Sequence, residues 1–103
     1  MTRAEAEAII ARIASFEIPL KLSPHFWHRA RERGFIQPDA LAVLRAHVTE
    51  YAPRWNETHS SYRVSLRGIC RQGRPTRVIL DLHEDGCCTL VTIMVVRDAE
   101  RRR

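Results

Sequence analysis

Glycine, cysteine and lysine are all scarce in this 103-residue chain, and each shortage narrows what the protein can be. Four glycines leave no Gly-rich loop of the kind that cradles nucleotide phosphates, so a nucleotide-binding fold is not expected. Cys70, Cys87 and Cys88 are an odd number without framework spacing, and the adjacent pair points to opposite faces of a strand. They read as buried thiols and not as a disulfide scaffold. The longest apolar run, Leu90 to Val96, is far too short to span a bilayer, so no membrane association is expected. The first residues, MTRAEAEAII, carry glutamates where a signal peptide has a basic start and an apolar centre, which makes the cytoplasm the expected location. His25-x-x-His28 with Cys87-Cys88 is a poor zinc set, because the two cysteines cannot easily face one ion and there is no Cys-x-x-Cys. No metal or other cofactor is expected.

What the chain does have is arginine. All but one of its 17 basic residues are arginines, against 12 acids, for a net charge of +5 and an isoelectric point near 9.9. Residues 1–22 are neutral, residues 23–77 carry an excess of six positive charges, and residues 78–103 carry one net negative charge. A GC-rich genome favours arginine over lysine without functional cause, but it does not cluster the excess mid-chain. Clustered guanidinium groups suit bidentate phosphate contacts and stacking on bases, which points to a polyanionic partner, either a nucleic acid or an acidic protein.

The patterning predicts one α+β domain, with N-terminal helices packed on a small, mainly antiparallel β-sheet. Thr2 and Glu5 form a capping-box pattern opening a helix within residues 1–20, with Ile9, Ile10, Ile13 and Phe16 on its core face and Pro19 as its stop. Ser23-Pro24 opens a second helix that Gly34 closes, and Pro38-Asp39 opens a third that ends near His47. A short strand follows at 48–51, and residues 52–60 read as a loop. Tyr62, Val64 and Leu66 then alternate with Arg63, Ser65 and Arg67; Val78, Leu80 and Leu82 alternate with Arg77, Ile79 and Asp81; and residues 87–97 form a β-branched run. Turns at Gln72-Gly73 and Glu84-Asp85-Gly86 make these three strands a meander. Residues 98–103, with Arg101, Arg102 and Arg103, read as a solvated basic tail.

The densest chemistry lies in Ser23 to Gly34, SPHFWHRARERG. On a helix His25, Arg29 and Arg33 fall at i, i+4 and i+8, so they share one side, with Glu32 placed to pair with Arg29 or His28. Phe26, Ala30 and Trp27 are left to bury the helix. His25 lies in the first turn, where the positive end of the helix dipole lowers an imidazole pKa and attracts anions. A histidine beside two guanidinium groups can move a proton at a phosphodiester while the arginines stabilise charge developing on phosphorus. The same pattern also describes an ordinary solvated helix face with a capping histidine.

His25-x-x-x-Arg29-x-x-x-Arg33-Gly34-x-Ile36, followed by Asp39 and a short helix, resembles the small bacterial domain of unknown function 4258 family. The stretch CRQGRPTRVILDLHEDGCCTLVTIMVV is similar to the ending of that family, with Gly73-Arg74-Pro75 at the turn, so the resemblance covers residues 22–97. It implies a fold similar to RelE- and BrnT-type toxin ribonucleases, which cleave RNA without metal and are held by an antitoxin or immunity protein. It further implies His25 as acid or base, Arg29 and Arg33 as phosphate clamps, Arg63 and Arg67 as a facing wall, and Thr92 or Tyr62 as orienting groups. His83 and His59 are reserve candidates for a second proton-transfer group. Tyr51, Trp55 and Tyr62, interleaved with Arg54 and Arg63, are placed to stack on unpaired bases. The N-terminal helix, outside the resemblance, is expected to cover a sheet edge, contact a partner or form a homodimer. The rival expectation is a non-catalytic module that binds nucleic acid or protein through the same basic helix face.

Overall fold

A computed structural model describes residues 1–96, so Arg97 and the expected tail at 98–103 lie outside the described residues. Three helices and six strands follow in the order α1 (Arg3–Ala14), β1 (Leu20–Leu22), α2 (Pro24–Arg33), α3 (Gln37–Arg45), β2 (His47–Thr49), β3 (Arg54–Asn56), β4 (Ser61–Ile69), β5 (Pro75–His83) and β6 (Cys88–Val95). The fold is α+β. The sheet runs β1-β6-β5-β4-β2, with β3 also paired to β4; among the described residues only the β1–β6 pair is parallel.

Local chemistry sets the helix limits. The Thr2 hydroxyl accepts from the Glu5 N–H at 3.1 Å while the Glu5 carboxylate accepts from the Thr2 N–H at 3.0 Å, completing the expected capping box. Ser23 caps α2 by accepting from the Phe26 N–H at 3.0 Å. At its far end Gly34 takes the left-handed conformation, φ 73°, and Phe35 N–H reaches back to the Ala30 carbonyl at 2.8 Å. Helix α1 ends by the same device, but earlier than Pro19 and with the wrong residue for it. Glu17 N–H donates to Arg12 O at 2.8 Å and Phe16 N–H to Ile13 O at 3.0 Å, which forces Phe16 to φ 64°. Phe16 therefore turns into solvent, 71% exposed, and does not join Ile10 and Ile13 in the core.

One face of the sheet receives all three helices. Val64, Leu66, Val78, Leu80, Leu82, Leu90 and Ile93 meet Ala6, Ile10 and Ile13 of α1, Phe26 and Ala30 of α2, and Ala40, Val43 and Leu44 of α3. Helix α1 is thus part of the common core, and its Glu7 also accepts from the Thr49 hydroxyl of the edge strand β2 at 3.0 Å. Trp27, expected at the helix–sheet interface, stays 44% exposed, because its position on α2 lies outside the Phe26–Ala30 stripe. The chain ahead of β4, expected to be loop, pairs as β3 with residues 61–63.

A bulge corrects the register of the other face. Ile79 pairs with Thr92 but Leu80 with Leu90, so Val91 is an extra residue in β6. Strand alternation has period two, and the insertion sends Thr92 outward and Ile93 into the core. The outward face then carries Arg63, Ser65, Arg67, Arg77, Ile79, Asp81, His83, Thr89, Thr92 and Met94.

Two substitutions test these local constraints. A Cβ on Gly68 would stand 2.8 Å from the Ala46 carbonyl oxygen, where α3 hands over to β2. Gly68→Ala is expected to destabilise the fold by about 1–3 kcal/mol, and Phe16→Gly to stabilise it by about 1 kcal/mol by relieving the left-handed strain. Urea unfolding midpoints of the two variants check both signs.

Candidate active site

Helix α2 packs on the core face of β6 and along the strand edge that β1 leaves open, tied down on both sides of the bulge. Ser23 N–H donates to Leu90 O at 3.2 Å and its hydroxyl to Val91 O at 3.3 Å. At the other end Arg33 donates from Nη1 to Ile93 O at 2.8 Å and to the Thr92 hydroxyl at 3.4 Å. Arg74, from the Gly73-Arg74-Pro75 turn, donates to the Arg33 and Gly34 carbonyls at 3.1 and 3.0 Å, with its guanidinium 4.0 Å over the Phe35 ring. A cation there complements the negative end of the helix.

This docking places His25, the second residue of α2, at the mouth of a cleft of about 340 Å³. Its lining is Ser23, His25, His59, Arg63, Asp81, His83, Thr89 and Val91. Three of the five histidines of the chain therefore meet on one cavity, from the start of α2, the β3–β4 loop and the end of β5. Arg63 donates from Nε and Nη2 to the two carboxylate oxygens of Asp81 at 2.9 and 3.0 Å. Asp81 is 6% exposed as a side chain and Arg63 33%, so the pair forms the cleft floor with the guanidinium on the wetter side. The fork engages two of the five guanidinium N–H donors. His83 Nε2 lies 2.9 Å from the Thr89 hydroxyl, which fixes the ring orientation and directs Nδ1 away from that contact. Ser61, opposite His83 in the β4–β5 register, is fully buried and its hydroxyl has no hydrogen-bond partner among the described residues.

The expected constellation is split by this arrangement. His25 and Arg63 come together in the cleft, and the reserve candidates His59 and His83 join them. Arg29 and Arg33 do not line it. Arg29 pairs with Glu32 at 3.3 Å on the surface, where His28 also meets Glu32 at 3.0 Å, contacts of little energetic weight. Arg33 is committed to Thr92 and Ile93, so Thr92 serves the docking of α2. Tyr62 faces the other way, packed on the core with Trp55 edge-on at a centroid distance of 5.1 Å. Arg67 is on the same face as Arg63, two strand pleats away. Asp81 and Thr89 escaped the sequence reading, although the Arg63/Asp81 alternation was visible; their pairing depends on which strands are neighbours.

Beyond the cleft, Glu50 bridges the same face. It accepts from the Ser65 hydroxyl at 2.5 Å and from Arg77 at 2.6 and 2.9 Å, with Arg67 at 3.7 Å. Burial works against its charge, but the hydrogen bonds from Arg77 and Ser65 and the two guanidinium charges outweigh it and hold the carboxyl below the usual glutamate range. At the start of β6, burial with Cys87 and Asp85 nearby pushes the Cys88 thiol up to about 11, which leaves it inert.

Among the described residues no three His, Cys, Asp or Glu side chains converge closely enough to hold a metal ion; the histidines of the cleft stand around its walls. No described helix is long and apolar enough to cross a membrane. The chain matches no protein-family model, no curated protein and no solved structure.

The Glu50 cluster has a pH signature. A carboxyl with a lowered native pKa contributes its stability fully above the ordinary value of 4.5 and loses it as pH falls through the lowered one. Glu50→Gln is therefore expected to unfold at lower urea than wild type at neutral pH, with the gap narrowing by about pH 3. Parallel unfolding curves at the two pH values measure this.

Proposed function

We propose that the protein is a toxin-like, metal-independent endoribonuclease, and that the histidine cleft is its active site. The observation that carries the reading is the grouping of His25, His59 and His83 around the Arg63–Asp81 pair. A phosphodiester of RNA brings its own nucleophile, the 2′-hydroxyl, so the enzyme needs a base, an acid and a cation, which is the inventory of the cleft.

In this mechanism one of His25 and His83 removes the 2′-hydroxyl proton as that oxygen bonds to phosphorus. The other donates a proton to the 5′-oxygen as its bond to phosphorus breaks. The products are a 2′,3′-cyclic phosphate and a 5′-hydroxyl end. Arg63, held by Asp81, keeps guanidinium N–H groups for the non-bridging oxygens, and His59 closes the site from its loop. The α2 N-terminus next to His25 adds a field favourable to the phosphate. The Arg63–Asp81 fork costs part of the net positive charge but holds the guanidinium in one orientation, which matters more for a reacting phosphate than for a bound one.

The basic excess of residues 23–77 favours RNA as substrate and an acidic protein, an antitoxin or immunity partner, as the inhibitor that covers the site.

His25→Ala and His83→Ala are each expected to lower cleavage of total RNA by about 100-fold or more, in excess chelator, with folding unchanged. The 5′-hydroxyl and cyclic phosphate ends of the fragments are the readout. Wild-type cleavage that survives both substitutions sinks the assignment. Salt-dependent RNA binding without cleavage by any of the proteins would favour the binding-module reading.

A further inference from the structure

We propose that the hollow beside the histidine cleft is a nucleobase subsite, holding the base of a nucleotide adjoining the scissile phosphate. The proposal rests on the ribonuclease reading and adds the part of the substrate that the cleft itself does not recognise.

The hollow has a volume of about 280 Å³ and is lined by Glu50, Tyr51, Ser65, Arg77, Ile79 and Met94. Ser65 and Ile79 are each two residues along their strands from Arg63 and Asp81 of the cleft floor. That separation is roughly 7 Å, within the span of one extended nucleotide. The two cavities therefore lie in series on one sheet face, as a phosphate and an attached base would require.

The lining suits a flat neutral ring better than a second phosphate. Ile79 and Met94 give an apolar floor and Tyr51 an aromatic wall. The Arg54 guanidinium sits 3.9 Å over one face of the Tyr51 ring, so in this proposal the base stacks from the side of the hollow that the ring lines. A phosphate entering here would meet the ionised carboxylate of Glu50. A base meets it as an acceptor: Oε1 takes Ser65 and Arg77 Nε, Oε2 takes Arg77 Nη2 at 2.9 Å with Arg67 Nε at 3.7 Å, and a carboxylate oxygen can accept more than one donor, here an amino or imino N–H. Each of the four RNA bases carries such a group. Unpaired RNA is thereby the substrate class, because a base held in a duplex cannot reach the floor.

The test is an NMR titration of the full chain with the four nucleoside 3′-monophosphates and, separately, with ribose 5-phosphate, following the Met94 methyl signal. The expected result is that at least one nucleotide binds about tenfold tighter than ribose 5-phosphate, the size of one stacked base. That nucleotide shifts the Met94 signal. Tyr51→Ala removes the advantage and leaves ribose 5-phosphate binding as it was; Met94→Gln repeats the test from the floor should Tyr51→Ala fail to fold. Equal affinity for nucleotide and ribose phosphate, or an unmoved Met94 signal, overturns the subsite while leaving the phosphate cleft intact. If neither ribose phosphate nor any nucleotide binds, the ribonuclease reading falls and the subsite with it.

Discussion

Val91 is an extra residue in β6, and without it the alternation of that strand would turn Thr92 toward the helices and Ile93 toward the outer face. A hydroxyl would then be buried in the apolar layer, at a cost of about 1–3 kcal/mol, and an isoleucine side chain would lose most of its burial. The bulge avoids both and also creates a place to dock. The Val91 and Leu90 carbonyls receive Ser23, and the Ile93 carbonyl receives Arg33, so the ends of α2 grip the strand on either side of the irregularity. The position of His25 follows from this grip, as does the wall of the cleft.

The outer face is basic but not freely so. Asp81 engages Arg63 and Glu50 lies between Arg67 and Arg77, which puts two carboxylates among the arginines at the centre of the sheet. The cost of burying each carboxylate is offset by the guanidinium hydrogen bonds that it receives. In return they hold the arginines against the floor, where long side chains otherwise lose rotamer entropy on binding a ligand.

The long strands were legible because Arg63, Ser65 and Arg67 alternate with Val64 and Leu66, and glycines sit at the turns. Helix starts were legible because Thr2, Glu5 and Ser23 act within three residues. The first helix end was not, since Phe16 occupies a left-handed position that glycine usually marks. Strand β1, three residues paired in parallel with β6, carries no pattern of its own; its partner lies far along the chain. Helical spacing correctly put His25, Arg29 and Arg33 on one side of α2, yet it did not say where each side chain ends, because β6 decides that. Tyr62 alternates with Arg63 and so groups with Val64 and Leu66, and it packs on the core while Arg63 lines the cleft. His59 and His83 were visible as histidines, but their meeting with His25 depends on the β4–β5 register and on the docking of α2.

A surface that merely attracts nucleic acid gains most from arginines that are exposed and unneutralised, since its affinity comes from counterion release. Here Arg29, paired with Glu32 on the helix surface, stands outside the cleft, while Arg63, which lines it, is forked to a nearly buried aspartate. That distribution sacrifices charge where three histidines gather and fixes orientation there instead. Loss of net charge weakens a binding surface in proportion, whereas a fixed donor beside a proton-transfer group lowers a barrier only if its direction is right. This distribution is the ground for the proposed reading of the cleft as a reaction site set within a basic surface, with long-range attraction left to the arginines around it.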